Sequence, residues 1–183
     1  MNKIESVCVY CGSGVGADPD YLAAAKTLGR DLANAGVRLV YGGGSRGLMG
    51  AVADATLEHG GLVTGIIPQF LQDLEHGHTG LTELIVTKDM HERKWAMFEN
   101  SDAFVALPGG IGTLEELIEI LTWAQLGRHS KPVIVANINE YWNHLSQLLE
   151  HMSEQDFIHS QSQLNPVFAS NADEILPAVF TAS

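Results

Sequence analysis

The residues Pro108-Gly109-Gly110-Ile111-Gly112-Thr113-Leu114-Glu115-Glu116 join two chemistries in nine positions. Glycines between an apolar strand and a helix expose backbone N–H groups. The helix dipole adds positive potential there, so the segment suits a phosphate. Glu116 places a carboxylate near the start of the same helix. Phosphate binding gains nothing from an acid at that point, whereas cleaving a bond beside a phosphate can require one. The plain alternative is a capping box, because Thr113-x-x-Glu116 has that pattern. The preceding Pro-Gly-Gly shifts the reading toward function, since glycines let a ligand approach the backbone closely. Glu115 lies about 100° further round the helix and reads as solvated.

A second cluster is Lys88-Asp89-Met90-His91-Glu92-Arg93-Lys94. Asp89-x-x-Glu92 is also a capping-box pattern, so part of it is structural. Helical spacing puts Met90, Arg93, Lys94 and Met97 on neighbouring positions of one face. An arginine there is suited to grip phosphate or carboxylate through two N–H groups. A snorkelling surface pair is the competing reading. A third cluster, Gly42-x-Gly44-x-x-Gly47, matches the dinucleotide fingerprint. It follows the second strand, however, and the next strand ends Gly65-Ile66-Ile67-Pro68, without the acid that holds a ribose. Contact with a mononucleotide phosphate or ribose is the better expectation, with Arg46 either on the phosphate or in solvent.

Other residues carry less. Cys8 and Cys11 are spaced C-x-x-C at a strand end. Strand residues three apart face opposite sides, and no second pair completes a zinc site. His76 and His78 follow Glu75 in an expected loop without a further ligand, so no metal is assigned. Trp95, Trp123 and Trp142 fit helix faces in a core or an interface.

These residues need a frame. Strands are expected over 6–11, 38–41, 62–67, 84–86, 103–107 and 132–136. Helices are expected over about 19–35, 47–59, 89–100, 117–124, 142–152 and 173–180. Residues 69–80 read as a loop, and Val167-Phe168 as a short segment between two peripheral helices. Alternating strands and helices with near-continuous apolar strands imply a single Rossmann-like α/β domain: a doubly wound parallel sheet with helices on both faces. The three glycine clusters then fall together at the carboxyl ends of strands, where such sheets bind ligands.

The chain has 183 residues and a formal net charge of −12, enough for one full α/β domain. So acidic a chain is a poor match for nucleic acid or an anionic membrane. There is no signal-peptide pattern and no apolar run long enough to span a bilayer, so a cytoplasmic protein is expected. Two cysteines make no disulfide scaffold.

Pro-Gly-Gly-x-Gly-Thr-x-x-Glu, preceded by Met90-His91-Glu92-Arg93-Lys94, resembles the Lonely Guy family. Those proteins are cytokinin riboside 5′-monophosphate phosphoribohydrolases, many formerly labelled lysine decarboxylases. The resemblance runs from Val7 to about Ala136. It includes Cys11-Gly12-Ser13, Tyr41-Gly42-Gly43-Gly44 and Thr122-Trp123-Ala124-Gln125-Leu126-Gly127. Gly14 departs from it, standing where the family often has a second serine. The resemblance implies hydrolysis of the N-glycosidic bond of an N6-modified adenosine 5′-monophosphate, with Glu116 and Arg93 as the catalytic pair. Gly109, Gly110, Gly112 and Thr113 would hold the 5′-phosphate, with Ser13, Gly43 and Lys94 as further ribose or phosphate contacts. Met90 would pack on the base. No cofactor or metal is implied, and a homodimer is. The alternative is a non-catalytic carrier of a nucleotide or molybdenum cofactor on the same fold, which would not need the Arg93–Glu116 pair. A pyridoxal-phosphate decarboxylase would need a Schiff-base lysine, and only Lys94 lies near these motifs.

Overall fold

Apolar runs become strands wherever both of their faces can be covered. In the computed structural model, which describes residues 3–75, 77–158 and 166–182, β1 (Ser6–Tyr10), β2 (Arg38–Tyr41), β3 (Val63–Pro68), β5 (Ala103–Ala106) and β6 (Val133–Ala136) are almost wholly buried. β4 (Glu83–Thr87) and β7 (Val167–Ala169) form the edges and are more exposed. The described strands form one parallel sheet in the order β4-β3-β2-β1-β5-β6-β7.

Seven helices cover this sheet among the described residues: α1 (Pro19–Asn34), α2 (Gly47–Glu58), α3 (Gln69–Glu75), α4 (Met90–Glu99), α5 (Ile111–Gln125), α6 (Asn143–Glu154) and α7 (Ala172–Thr181). Apolar side chains of α1, α2 and α7 join one core cluster, and those of α4, α5 and α6 join the other. Each cluster lies on one face of the sheet, as a doubly wound fold requires. Cys8 belongs to the second cluster and Cys11 to the first, so the two thiols lie on opposite sides.

From β1 the chain winds outward through β2 and β3 to β4. It then crosses back to β5, on the other side of β1. The order therefore reverses between β1 and β5, and the loops leaving these two strands diverge to opposite faces. That opens the crevice where this architecture takes ligands. The loops at Gly12, Gly42 and Gly109 leave three adjacent strands, β1, β2 and β5, and share one rim.

Two expectations change. Residues 69–75 are α3 rather than loop. Phe70, Leu71 and Leu74 have the helical spacing that the neighbouring glycines obscured. Gly77 then bridges Gly44, and the His78 amide donates to the Gly43 carbonyl at 3.0 Å. The His78 ring meets Asp54 of α2 at 2.8 Å, so His78 ties its segment to α2 as well as to the β2 loop. His76 lies outside the described residues. The segment at 167–168 is a true strand: β7 pairs with β6 from Ile134↔Val167 to Ala136↔Ala169.

Candidate active site

The phosphate-type loop is built from backbone. Gly110 is the N-cap of α5, with extended dihedrals and no side-chain cap. The capping-box reading of Thr113 and Glu116 is thereby corrected. The helix begins three residues earlier than that box requires, because the glycine pair lets the chain turn at once. Thr113 is buried in the first turn, and its side chain folds back over Gly109, where a Cβ would overlap it. Glu116 accordingly sits in the second turn, one step deeper than the sequence suggested. The N–H groups of Gly110, Ile111, Gly112 and Thr113 find no acceptor among the described residues. They face the mouth of the crevice and can hold an anion.

Below that mouth lies a cleft of about 300 Å³, between α5 and the head of α4. Ser13, Met90, Arg93, Gly110, Gly112, Thr113 and Glu116 all line it, together with Cys11, Gly12, Met49, Ile111 and Glu115. The predicted α4 and α5 residues therefore converge, although more than twenty positions separate Arg93 from Glu116. Nη1 of Arg93 is 3.6 Å from Oε1 of Glu116, with both side chains nearly buried. Cys11 contributes a neutral wall, since burial pushes its thiol well above the usual range.

Arg93 is held from behind by carbonyls rather than by acids. Its Nε donates to Ile66 O at 3.1 Å and its Nη2 to Gly42 O at 3.4 Å. Nη1 approaches Met90 Sδ at 3.8 Å. A Cβ built on Gly42 would lie within contact of Nη2 and 3.2 Å from Met49 Sδ. Gly42 is thus the slot that admits the guanidinium. Sequence reasoning missed this residue. The signal was the glycine run itself, read there as a ligand contact through Gly43. Gly43 instead has φ 77° and packs against Ile67, and it does not line the cleft.

Capping of α4 sets the entry angle of Arg93. Asp89 accepts from the Glu92 amide at 2.9 Å, and Glu92 reaches back to the Lys88 amide at 2.8 Å. This is the expected box, closed one residue earlier than its usual partner.

Lys94 lies outside the cleft lining. It bridges Glu115 at 2.7 Å and Glu119 at 3.1 Å. Burial lowers its pKa, but the two carboxylates outweigh burial and leave it raised. A lysine held this firmly as a cation does not fit the neutral amine that Schiff-base chemistry requires. Glu115 is exposed, as expected, but engaged by this bridge. Among the described residues, no group of three or more His, Cys, Asp or Glu is placed to hold a metal ion.

The electrostatics single out Glu116. Burial raises its pKa from the ordinary 4.5 to about 7, with the positive charge of Arg93 opposing the rise. Glu115 and Glu119 add to the increase, while Lys94 reduces it. A carboxyl poised near neutrality beside an anion-binding helix end can stabilise developing positive charge or take a proton from water.

Fold and site together define a Rossmann-like sheet whose glycine-rimmed cleft holds a nearly buried carboxylate–guanidinium pair. Comparison with known proteins agrees. Residues 49–179 match the family described as "Possible lysine decarboxylase". The chain belongs to that family, the one its motifs resemble. It is 44% identical over 176 residues to the cytokinin riboside 5′-monophosphate phosphoribohydrolase of Rhodococcoides fascians, covering 96% of this chain and 89% of that one. It is 46% identical over 175 residues to one from Arabidopsis thaliana, covering 96% and 77%. Among solved structures, a molybdenum cofactor binding protein from Rippkaea orientalis superposes with a TM-score of 0.73 at 25% identity, covering 99% of this chain and 98% of that one.

Proposed function

We propose that this protein is a phosphoribohydrolase that cleaves the N-glycosidic bond of adenosine 5′-monophosphates, including N6-modified ones, to free base and ribose 5-phosphate. The observation that carries the reading is the Glu116–Arg93 pair, 3.6 Å apart in a glycine-rimmed cleft. The identity to phosphoribohydrolases over nearly the whole chain supports it.

The 5′-phosphate lies on the amides of Gly110, Gly112 and Thr113, with Gly109 opening the turn and Ser13 opposite. From there the ribose runs along α5 to Glu116, and the base leaves toward Met90. As the C1′–N9 bond breaks, its electron pair goes to the base, which takes a proton. Positive charge builds on C1′ and the ring oxygen, an oxocarbenium-like state. Ionised Glu116 stabilises that charge, orients the water that adds to C1′ and takes the proton that water releases, which balances the one gained by the base. Arg93 favours the ionised form and grips substrate oxygens. Lys94 acts on this site only through its field, and Gly43 only by shaping the rim. The scheme needs neither metal nor cofactor.

We further infer a cytoplasmic homodimer that binds no nucleic acid. Trp95 on α4, Ile118 on α5 and Leu126 at the C-cap of α5 leave apolar surface exposed, a surface suited to a second copy. The net charge of −12 opposes polyanions. No helix among the described residues is long and apolar enough to cross a membrane. The second reading, a carrier of nucleotide or molybdenum cofactor, draws on the likeness to the cofactor-binding protein, but it leaves the Arg93–Glu116 pair without a task.

The test is to incubate the protein with AMP and with isopentenyladenosine 5′-monophosphate, without metal, and follow free base by chromatography. Release that disappears in Glu116→Gln is the expected result. Nucleotide binding without release from either substrate would overturn the hydrolase in favour of the carrier.

A further inference from the structure

The cleft occupies only one side of the crossing made by Gly12–Ser13 and Gly109–Gly110. On the other side, toward α1, lies a second cavity of about 450 Å³. Gly12, Ser13 and Gly110 border both. Its walls have a different chemistry: Val15, Tyr21, Leu48 and Tyr141, with no charged side chain.

These walls are braced. The tyrosine rings meet edge to face with centroids 5.4 Å apart. The Tyr141 hydroxyl donates to the Gly109 carbonyl at 2.5 Å. Asn139, in the turn before Tyr141, donates to Asp18 at 2.8 Å and to Asp20 at 2.9 Å at the head of α1. Gly16 has φ 77°, and a Cβ there would come within 2.7 Å of the Tyr21 ring. The loop therefore lies flush against that ring only as glycine. The N–H groups of Ser13, Gly14, Val15 and Gly16 make no backbone hydrogen bond among the described residues.

A phosphate at the head of α5 sits on the border shared by the two cavities. Its ribose runs toward Glu116, so the base departs on the Arg93 side. The second cavity then faces the remaining phosphate oxygens rather than the base. We propose that it is a subsite for a planar group joined to the nucleotide through a second phosphate, as in a dinucleoside diphosphate. Amides of the 13–16 loop hold the second phosphate, without need of a cation. The planar group packs against Tyr21 and Tyr141. The inference rests on the phosphate position given under the proposed function.

The test uses Glu116→Gln protein, which binds without turnover, titrated calorimetrically with AMP, ADP and P1,P2-di(adenosine-5′) diphosphate. The dinucleotide is expected to bind about tenfold or more tighter than ADP, the range of one stacked ring. Tyr21→Ala should erase that gain and leave AMP affinity unchanged. Val15→Trp, which fills the cavity without removing a wall, should do the same. Equal affinity for dinucleotide and ADP overturns the subsite. So does a Tyr21→Ala variant that instead loses preference for isopentenyladenosine 5′-monophosphate over AMP, because the cavity then serves the base. Base release by the unaltered protein is measured separately. If release fails while the dinucleotide series holds, the hydrolase reading falls and the subsite stands.

Discussion

The two halves of the cleft are built in opposite ways. The α5 half is local. Pro108 to Thr113 form one continuous turn, their donors are backbone amides, and glycine alone suffices to expose them. The α4 half is assembled from afar. Arg93 reaches back to the carbonyls of Gly42, 51 residues away, and of Ile66, 27 residues away. The first carbonyl lies just past the end of β2 and the second within β3, beyond the last residue that pairs with β2. The local half offers unpaired amide donors with no net charge. The assembled half places a permanent cation beside Glu116, where it opposes the rise in pKa that burial causes. Binding can be written in a motif, whereas the tuning of an acid requires the folded sheet.

That contrast can be broken most severely at Glu116. Glu116→Gln should cut base release by about 10²–10⁴-fold and leave nucleotide binding in place, as read by chromatography and calorimetry. It should also change stability in a defined direction. The folded carboxyl holds its proton up to about pH 7, whereas an unfolded one releases it near 4.5. The native state therefore loses stability as pH rises from about 4.5 to 7, and the loss is complete above 7. Above pH 7, Glu116→Gln should be more stable than the parent by on the order of 1–3 kcal/mol. A denaturation series showing no pH-dependent gap between the two proteins would contradict the buried carboxyl.

Gly42→Ala attacks only the assembled half. The new methyl displaces the guanidinium while the phosphate loop stays intact. A misplacement of this kind costs about 10²-fold, and it should appear in kcat rather than in phosphate affinity. Arg93→Ala should lose as much and weaken substrate binding as well. Both variants share a signature that unfolding would not give. In the parent, kcat/KM should fall about tenfold per pH unit below about 7, as Glu116 takes up its proton. With Arg93 displaced or absent, that limb should move to higher pH, because the charge that opposes protonation has gone. A limb that stays put in Gly42→Ala would sink the slot argument.

Smaller effects separate structure from chemistry. Lys94→Met removes a second cation that lowers Glu116. It should shift the same limb slightly upward with little loss at its plateau. Asp89→Ala removes the cap of α4 and should cost about 1 kcal/mol of stability, measurable by thermal melting, with activity largely kept.

Much of this protein was legible from residue order alone. The alternation of apolar strands with amphipathic stretches fixes a parallel sheet covered on both faces. The strand–glycine–helix sequence at 103–117 sets the turn and its unpaired amides, because that geometry is made by consecutive residues. The one capping pattern that proved true, at Asp89, is equally local. Tertiary structure decided the rest. Thr113-x-x-Glu116 carries the same pattern as Asp89-x-x-Glu92. Only the fold shows that α5 already starts at Ile111, which turns Glu116 from a cap into a buried acid. Lys94 and Arg93 are adjacent cations in the sequence. One is neutralised by Glu115 and Glu119 and the other is turned into the cleft, because α4 packs with Arg93 toward the sheet. The glycine run at 42–44 announces a special backbone but not its purpose. That purpose, admitting a guanidinium from a helix half a hundred residues later, exists only once β2, β3 and α4 are brought together by burying their apolar faces.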